Sequence, residues 1–591
     1  MRKGICIGGD SFKKLMERHG YYVDKTRPIK RLLESGGEVI LITRPRRFGK
    51  SLFLDMMKTF LNPDLENPGG VALQEKLFAG LEILKEKDFC IRVMGKVPVL
   101  HISFKGVGGD SDSFELAYAD LTHRLSEAAR AFKSLIASDK LSAEERLTLQ
   151  RFTSDEYMRD LSHQSEVRLF ISKMSQLLAG YFGHPVVLLM DEYDVPLAKA
   201  SEGGYYKEMA RFLRALLNPL KPGGEVLVNG LPALEKTLMT GCLRVSKESL
   251  FTGLNNLYVD TVCSVDSELA TAIGFTEDEV KALLTYYGLE SRFNDVKAWY
   301  DGYQFDSKDI YCPWDVLYFC NQAIHSDRPL QLPPGDYWSN TGEHGFIDDF
   351  LNAMTEKGAE QLQTLVEGGE ISFRLNEQLT YGDLQSHRLN DFWTLLLSTG
   401  YLTLCGPVEG GPCRVRIPNQ EVRKIFSDRI AQRYSEENKV FVTEGETLAK
   451  LALNGDAEGF EATLKRILRT YISVRDTATR AKAENFYHGF LLALLTSAGD
   501  EIDNLSSNRE AGDGYADIMF TSENGRTGAV LELKHSAPME IYDAADAALV
   551  QIRAKRYAEG FSSRRCKRVW CYGVAFSGKD CAVEAAEHVA A

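Results

Sequence analysis

The pattern of apolar and polar residues predicts a strand, a glycine turn and a helix near the start of the chain. Residues 39–42 form an uninterrupted apolar run, which is typical of a buried strand. After Gly49, apolar residues recur at the spacing of an amphipathic helix: Leu52, Phe53, Met56, Met57 and Phe60. We therefore expect a strand–turn–helix unit over residues 39–58.

Further strands and helices alternate through the first half of the chain. Apolar segments predict strands at residues 96–106 and 184–194 and another within 235–257, with a long helical region at about 113–183. Strands that alternate with helices form a mostly parallel sheet, whose ligand site lies at the carboxyl ends of the strands. The N-terminal fold is thus predicted to be α/β.

The first turn carries the residues of a phosphate-binding loop. Gly49, Lys50 and Ser51 open the helix, where backbone N–H groups and the helix dipole favour a polyphosphate. Lys50 would neutralise the β- and γ-phosphates, and the Ser51 hydroxyl would ligate Mg²⁺. Arg44 stands where the usual pattern has its first glycine, so the loop turns differently or the match is accidental.

A second strand ends in two acids, which is the Walker B arrangement. Asp191 would hold Mg²⁺ and Glu192 would polarise the attacking water. The alternative is a buried strand with two solvated acids at its exit. Thr240 and Arg244 follow another strand to the same edge and would contact the γ-phosphate, with a structural ion pair as the alternative for Arg244. The two motifs together predict nucleoside triphosphate binding.

The C-terminal part of the chain carries a second group of acids. Glu484 lies near the start of an apolar helix, Asp517 lies in a strand, and Glu532 and Lys534 lie in the next strand. Acids on two neighbouring strands, with a lysine two residues after the second acid, suit metal-dependent phosphodiester cleavage. Glu532 stands in an apolar strand, where an ionised residue is costly unless it is paired or bound to a metal. The alternative is an exposed edge strand with alternating charge.

Basic residues near the C-terminus would follow a nucleic-acid backbone, although a solvated charged face is the common explanation. They are Arg553, Lys555, Arg556, Arg564, Arg565, Lys567 and Arg568.

Three domains are predicted: an NTPase domain over 1–265, a helical middle over 266–445 and a nuclease-like domain over 446–591. Residues 389–418 predict a helix followed by a β-hairpin, compatible with a winged-helix-like module. Polar residues at 435–447 mark the expected seam. The aromatic residues of the middle region are predicted to be core packing rather than a stacking platform for bases.

The composition of the chain indicates the general class of protein and the compartment in which we expect it. The 591 residues are 44% hydrophobic and 26% charged, as in ordinary globular proteins of several domains. No apolar run approaches the ~20 residues of a membrane span, and we expect neither a secretory signal nor a membrane partner. Eleven cysteines without a CxxC pair predict reduced thiols in the cytoplasm. The net charge of −13 leaves room for a local basic groove.

The chain resembles the bacterial AAA-ATPase-like family that carries a C-terminal PD-(D/E)XK nuclease domain. The resemblance lies in the segments YYVDKT, LITRPRRFGKS, LLMDEYD, TGCLRVSKESLFTGLNNL, WYDGYQF and CPWDVL. In that family an arginine at the position of Arg44 is usual. The resemblance also implies that the loop residues Arg46, Arg47 and Phe48 lie at the nucleotide site.

For the C-terminal part, the resemblance implies a restriction-endonuclease-like α/β domain. It assigns Glu484, Asp517, Glu532 and Lys534 to the nuclease signature and Gln551 to an auxiliary role.

We therefore expect an ATPase coupled to a DNA nuclease. ATP and Mg²⁺ are the expected cofactors, with Mn²⁺ as a substitute, and DNA and a second copy of the chain are the expected partners. Defence against foreign DNA, or its processing, is the expected use. The rival readings are a nucleotide-sensing switch that grips DNA without cutting it, and an oligomeric ATPase whose tail is a docking module.

Overall fold

The structure is a computed structural model. It describes residues 2–589 except 66, 68, 110, 225, 245–253, 265–268, 307, 339–349, 351–354, 367, 407, 409–410, 427–438, 472–482, 497, 512–513 and 562–565. Its contacts divide the chain into two compact units, residues 1–344 with 372–421, and residues 345–371 with 422–591. The predicted boundary at 265 thus falls inside the first unit. Residues 435–438 of the predicted seam lie outside the described residues, and 439–447 belong to the helix Lys439–Asn454.

The described strands are β1 Val39–Thr43, β2 Val99–Ser103, β3 Val186–Asp191, β4 Leu227–Val228, β5 Leu231–Pro232, β6 Leu234–Gly241, β7 Leu257–Asp260, β8 Phe275–Thr276, β9 Tyr303–Phe305, β10 Lys308–Tyr311, β11 Ile371–Phe373, β12 Thr403–Leu404, β13 Cys413–Arg416, β14 Ile502–Ala511, β15 Gly514–Ser522, β16 Thr527–His535, β17 Arg568–Ser577 and β18 Asp580–Val589.

The described α-helices are Phe12–Glu17, Pro28–Glu34, Lys50–Leu61, Ala72–Leu77, Lys87–Val93, Phe114–Arg130, Ala143–Thr153, Asp155–Arg159, Gln164–Val167, Phe170–Phe182, Val195–Glu202, Tyr206–Leu216, Glu277–Tyr287, Phe293–Tyr300, Pro313–His325, Glu356–Val366, Leu389–Thr399, Lys439–Asn454, Ala457–Tyr471, Ala483–Thr496 and Ile541–Ala554. None of the helices in the described part of the chain has the length and apolar character that crossing a membrane requires.

A parallel five-stranded sheet forms the centre of the first unit. Its order is β2-β3-β6-β1-β7, so β6 separates β1 from β3. Every residue of β1 and of β3 is buried, as the apolar runs predict. Because all five strands are parallel, their carboxyl ends meet at one edge of the sheet. The α/β fold expected for this region is confirmed.

Helices cover this sheet in the predicted order. The helix Lys50–Leu61 buries Phe53, Met56 and Phe60, which are among the positions picked out by their spacing. The region expected to be helical at about 113–183 contains several helices, among which Phe114–Arg130 packs into the core of the sheet. The amphipathic pattern therefore predicted these helices and the side chains of Lys50–Leu61 that they bury.

The middle region contributes helices and short strands to the first unit. The aromatic residues Tyr300, Tyr303 and Phe305 are buried, so the prediction of core packing is confirmed. The helix Leu389–Thr399 is followed by the antiparallel pair β12–β13, which matches the helix and hairpin expected there.

A five-stranded sheet of order β14-β15-β16-β17-β18 forms the centre of the second unit. The pair β15–β16 is antiparallel, and β16–β17 is parallel because the helix Ile541–Ala554 connects them. Leu531 and Leu533 of β16 pack with the helices Lys439–Asn454 and Ala457–Tyr471 on one face. Val530 packs with the crossover helix on the opposite face. The sheet therefore has helices on both sides.

The crossover helix lies so close to β17 that only glycine fits at position 573. A Cβ on Gly573 would lie 2.0 Å from the Ala545 oxygen and 2.6 Å from the Leu549 nitrogen. We expect Gly573→Ala to push the helix off the sheet and to lower the free energy of unfolding by about 1–3 kcal/mol. Calorimetry of the full chain would show a lower unfolding midpoint.

The matched control is Gly489→Ala, in the helix Ala483–Thr496 of the same unit. A Cβ on Gly489 would meet no atom within 4 Å, so this change should raise stability by up to about 1 kcal/mol. Equal midpoints for Gly573→Ala and the wild type would contradict the close packing.

Candidate active sites

The phosphate loop runs from the end of β1 to the helix Lys50–Leu61. Gly49 precedes the helix with φ +96°, and a Cβ built on it would meet no atom within 4 Å. Gly49 also has no side chain with which to cap the N–H groups of the first helical turn. These N–H groups are therefore available to an anion, and the space beside them accommodates a phosphate.

Lys50 is held inside this loop by neutral groups. Its ammonium donates to the carbonyl oxygens of Arg44 at 2.9 Å and Pro45 at 2.8 Å. A triphosphate would offer the same ammonium charged acceptors, which form stronger hydrogen bonds than carbonyls. The residues present thus fit a polyphosphate.

Arg44 anchors the loop to both strands that flank β1. Its guanidinium forms a 2.9 Å salt bridge with Asp260 at the end of β7, and both side chains are 0% exposed. The same group donates to the Thr43 oxygen at 2.9 Å, and the Phe305 ring lies 4.9 Å from its central carbon. Its backbone N–H donates to Gly241 of β6 at 3.1 Å. The loop therefore turns differently from the glycine-containing pattern.

The three residues before the left-handed glycine have different surroundings. Arg46 is exposed. Arg47 has φ +70°, and its guanidinium carbon lies 4.0 Å from the centre of the Trp314 ring, a cation–π contact. Phe48 is buried and packs edge-on against Tyr303 at 4.9 Å. Phe48 therefore contributes its side chain to the core, and phosphate contacts by the two arginines stay predictions.

Asp315, a buried acid within electrostatic reach of Arg47, is paired with a second buried acid, Glu421. Each is 1% exposed, and the two carboxyl groups are hydrogen-bonded to each other. Glu421 also accepts the backbone N–H groups of Tyr337 at 2.5 Å and Trp338 at 2.7 Å. Burial raises the pKa of both acids, and the charge of Asp315 raises the pKa of Glu421 further. The pair therefore retains a proton at neutral pH.

The predicted Walker B acids lie at the carboxyl edge of β3. Asp191 is buried and accepts a 2.7 Å hydrogen bond from the Thr240 hydroxyl on β6. Glu192 follows with φ +53°, a strained conformation that is found at functional sites. Burial and then the charge of Asp191 raise the pKa of Glu192, while the charge of Lys50 opposes this rise. The loop and these acids thus lie close together.

Asp194 ties the turn after Glu192 to the end of β6, a role that the sequence reasoning missed. Its carboxylate accepts the N–H groups of Cys242 at 3.0 Å and Leu243 at 2.9 Å. It also accepts the Tyr381 hydroxyl at 3.0 Å. An acid three residues after Asp191 was a visible signal, but its partners lie far along the chain.

The remaining predicted nucleotide residues are Ser51 and Arg244. Ser51 is the second residue of the helix that follows the loop and is partly buried. Arg244 forms a 3.3 Å salt bridge with Glu377, which is the structural ion pair weighed for it above. A contact of Arg244 with the γ-phosphate stays a prediction.

The predicted nuclease acids lie on adjacent strands of the second unit. The β15–β16 ladder ends at the pair Ile518–Leu531, and Asp517 and Glu532 come directly after it. Asp517 turns toward β16, because its carboxylate accepts the Leu533 N–H at 2.7 Å. Glu532 is 5% exposed within an apolar strand. Their placement on neighbouring strands is confirmed, and their catalytic role stays a prediction.

Gln551 joins the acid and the lysine of β16. Its amide nitrogen donates to Glu532, and its amide oxygen accepts from the Lys534 ammonium at 2.9 Å. Tyr557, buried just after the crossover helix, hydrogen-bonds Gln551. Glu532 and Lys534 thus lie on the same face of the strand, as side-chain alternation predicts.

His488 is a neighbour of Asp517 that the sequence reasoning missed. Its Nε2 lies 2.9 Å from the backbone oxygen of Asp517 and 3.1 Å from the Ser507 hydroxyl. Glu484 lies one helical turn earlier, in the helix Ala483–Thr496, and its side chain is outside the described part of the structure. A histidine four residues after an acid shares its helix face, which was the available signal.

The donor set at the end of β15 and β16 fits a divalent cation. Burial raises the pKa of Asp517, while the Leu533 N–H and the charges of His488 and Lys534 oppose this rise. Carboxylate oxygens are the ligands that Mg²⁺ prefers, and Mg²⁺ usually keeps several waters. Among the described side chains, no three His, Cys, Asp or Glu residues form a metal-binding group. Asp517 and Glu532 would therefore be the described protein ligands.

The fold and these two groups of residues define a class of protein. A P-loop NTPase sheet is joined in one chain to a restriction-endonuclease-like α/β sheet. The phosphate loop and the Walker B acids meet at one edge of the first sheet. Two acids, a lysine and a glutamine meet at the end of a hairpin in the second.

Two segments of the chain match known protein families of this class. Residues 6–251 match the family described as predicted AAA-ATPase, and residues 482–586 match the PD-(D/E)XK nuclease superfamily. A relative from Azotobacter chroococcum mcd 1, described as "Uncharacterized protein in vnfD 5'region", is 31% identical over 468 residues. These cover 78% of this chain and 76% of the relative. The chain belongs to the family of AAA-ATPase-like proteins with a C-terminal PD-(D/E)XK nuclease-superfamily domain.

Arg44→Gly, which restores the usual loop pattern, is expected to weaken the protein. It would leave Asp260 as a buried charge without its cation, which costs about 3–5 kcal/mol. We expect a lower thermal midpoint and weaker binding of a fluorescent ATP analogue. The double change Arg44→Met with Asp260→Leu should recover much of the lost stability.

Lys30→Ala serves as the control, because its salt bridge with Glu86 is exposed and should leave the midpoint unchanged. Wild-type midpoint and affinity in Arg44→Gly would show that the buried pair does not hold the loop.

The acid pair beside Arg47 makes stability depend on pH. Burial raises the pKa of Asp315 and Glu421 above the ordinary carboxyl range of about 4, so the folded state holds more protons than the unfolded state. Their contribution to the free energy of unfolding therefore falls as pH rises above that range. Glu421→Gln keeps the carbonyl acceptor and removes one ionisation. Its midpoint should fall less than that of the wild type between about pH 6 and pH 9.

Glu290→Gln, an exposed acid in the same unit, is the control for this experiment. Thermal melts across the pH range would refute the proton-sharing pair if the curves of wild type and Glu421→Gln ran parallel.

Proposed function

We propose that this protein binds and hydrolyses ATP with Mg²⁺ at one site and cleaves DNA with a divalent metal at the other. The observation that carries the proposal is the same in both units: a lysine lies near acids at the ends of buried strands. Lys50 lies inside the phosphate loop on the Arg44 and Pro45 carbonyl oxygens, near Glu192, and Lys534 is joined to Glu532 through Gln551. Lysine beside carboxylate is suited to phosphoryl chemistry, where negative charge must be held and water activated.

At the first site, Lys50 and the N–H groups of the loop would hold the β- and γ-phosphates. Ser51 and Asp191 would hold Mg²⁺, which neutralises charge on the phosphates. Glu192 would accept the proton of the water that attacks the γ-phosphorus, while the bond to ADP breaks. Its raised pKa makes it a better proton acceptor than an ordinary glutamate.

At the second site, Asp517 and Glu532, with Glu484 as the third predicted acid, would hold the metal. The ion supplies an acidified water and offsets charge on the phosphate. Lys534 would orient the water that attacks the phosphorus, while the bond to one sugar oxygen breaks. Gln551 keeps Lys534 and Glu532 at a fixed separation.

We further infer that nucleotide state gates cleavage. Phosphodiesters are very stable without a catalyst, so an ungated nuclease would be a hazard to the host's own DNA. Action on foreign DNA, in defence or processing, is the use that fits such a gate.

Incubation of the full-length protein with plasmid DNA, ATP and Mg²⁺ or Mn²⁺ tests the proposal. We expect nicking that is lost in Glu532→Ala but kept in Glu523→Ala, an exposed acid of the same unit. Lys50→Ala should lose ATP binding and ATP-dependent nicking, with Lys13→Ala as its exposed control. Glu192→Gln should bind ATP but hydrolyse it about 100-fold more slowly or worse.

The outcomes separate the rival functions. DNA retention in gel shifts without nicking in any metal would favour the nucleotide-sensing switch. Turnover that is independent of DNA, with nucleotide-dependent assembly, would favour the oligomeric ATPase. Unchanged ATP binding in Lys50→Ala would overturn the first site.

A further inference from the structure

The strand β15 loses its regular alternation of side chains at Asp517. In a regular strand Ala516 and Ile518 would point to the same face of the sheet, because side chains alternate with a period of two. Ile518 instead belongs to the core under the helix Ala483–Thr496, whereas Ala516 belongs to the core under the crossover helix. The β15–β16 ladder also ends at Ile518. The strand therefore departs from regular geometry at the residue that carries the predicted metal-binding acid.

Both ends of Asp517 are held by hydrogen bonds. Its backbone oxygen lies 2.9 Å from Nε2 of His488, and its carboxylate accepts the Leu533 N–H of β16 at 2.7 Å. A carbonyl oxygen only accepts, so Nε2 is the imidazole nitrogen that carries the hydrogen in this bond. The Ser507 hydroxyl oxygen lies 3.1 Å from the same nitrogen. The bonds to the peptide and to the carboxylate together fix the direction in which the Asp517 side chain points.

The helix that carries His488 is fixed on the sheet. The Tyr487 hydroxyl donates to the Gly578 oxygen at 2.6 Å, and its ring stacks on Phe576 with centroids 4.3 Å apart. Leu491, one turn after Tyr487, is fully buried in the same core. A donor on a packed helix holds its acceptor more precisely than a donor on a loop does. His488 is thus a rigid support for the Asp517 peptide.

The position of His488 suits an orienting role better than a packing role. The side chain is partly exposed, unlike its neighbour Tyr487, so it fills little of the core. Glu484, the third predicted acid, lies four residues earlier and shares its helix face. The helix therefore brings a predicted metal ligand and the support of another ligand to the same end of β15. Groups that hold metal ligands by hydrogen bonds change metal affinity or activity about 10- to 100-fold when they are removed.

We propose that His488 is a positioning residue of the second site. Its Nε2–H holds the Asp517 peptide, so that the carboxylate both accepts from Leu533 and faces the cation beside Glu532. His488 acts through Asp517 and does not touch the metal itself. This inference rests on the proposed nuclease function for the role of the cation, and the hydrogen bonds are tested without it.

Mn²⁺ binding and DNA cleavage by the full-length protein test this role. Calorimetry without nucleotide measures the Mn²⁺ affinity, and the heat that is lost in Glu532→Ala defines the signal of this site. His488→Ala should raise the Kd for Mn²⁺ about 10- to 100-fold, and cleavage should need correspondingly more Mn²⁺ with KM for DNA little changed. His488→Gln offers an amide N–H to the Asp517 oxygen and should return the Kd to within about 3-fold of the wild type.

Hydrogen exchange of the Leu533 amide tests the geometry without metal or DNA. In the wild type the Asp517 carboxylate holds this N–H, so it should exchange slowly. In His488→Ala it should exchange about 10-fold faster, as expected for one lost hydrogen bond, and His488→Gln should restore slow exchange. Mass spectrometry of overlapping peptides that end on either side of Leu533 measures this. His588→Ala, which removes an exposed histidine of the same unit, should change neither the exchange nor the Mn²⁺ affinity.

The results distinguish failure of the positioning role from failure of the nuclease. If the wild type cuts DNA and His488→Ala matches it in Mn²⁺ affinity and in Leu533 exchange, the positioning role is wrong and the nuclease proposal stands. If no DNA is cut but the exchange rises in His488→Ala and recovers in His488→Gln, the nuclease proposal fails and the positioning role stands.

Two further outcomes would overturn the inference. Equal losses of Mn²⁺ affinity in His488→Ala and His488→Gln would show that the imidazole itself binds the metal. Faster exchange throughout the unit in both variants would show that His488 only stabilises the fold.

Discussion

The cost of keeping an ionised group away from water governs both sites. Moving a charge into apolar surroundings is unfavourable by several kcal/mol unless an opposite charge or hydrogen bonds compensate it. Arg44 meets this constraint through Asp260, and Glu532 meets it through Gln551. Each pair lies where an apolar strand ends. The strand therefore fixes the backbone position of the charged residue, and the buried polar partner fixes the direction of its side chain.

Local patterns predicted the strands and the acids they carry, because apolar runs and side-chain alternation act over a few residues. The ends of β1, β3, β15 and β16 accordingly lie where the sequence indicated. The partners of these acids did not follow from any local pattern. Asp260 and Glu421 come from segments far from Arg44 and Asp315 along the chain, and only the packing of the folded unit brings them together.

Arg44, which stands in place of the usual first glycine of a phosphate loop, shows why local patterns do not predict such partners. A glycine in a phosphate loop is read as a requirement for a tight turn, so Arg44 looks like a defect in the motif. In the folded unit the Arg44 side chain instead fixes the loop in place, because its guanidinium binds Asp260 at the end of the edge strand β7. The same applies to His488, whose helical position was visible but whose contact with the backbone of Asp517 depends on tertiary packing.

Gln551, on the crossover helix, makes the link between Glu532 and Lys534 less sensitive to pH than a link through a titratable side chain. An amide neither gains nor loses a proton over the physiological range, and its two ends differ, one giving and one receiving hydrogen bonds. Because Gln551 offers its nitrogen to Glu532 and its oxygen to Lys534, reversing the amide would break both bonds. The distance between the Glu532 carboxylate and the Lys534 ammonium is thus set by an uncharged side chain that has one donor end and one acceptor end.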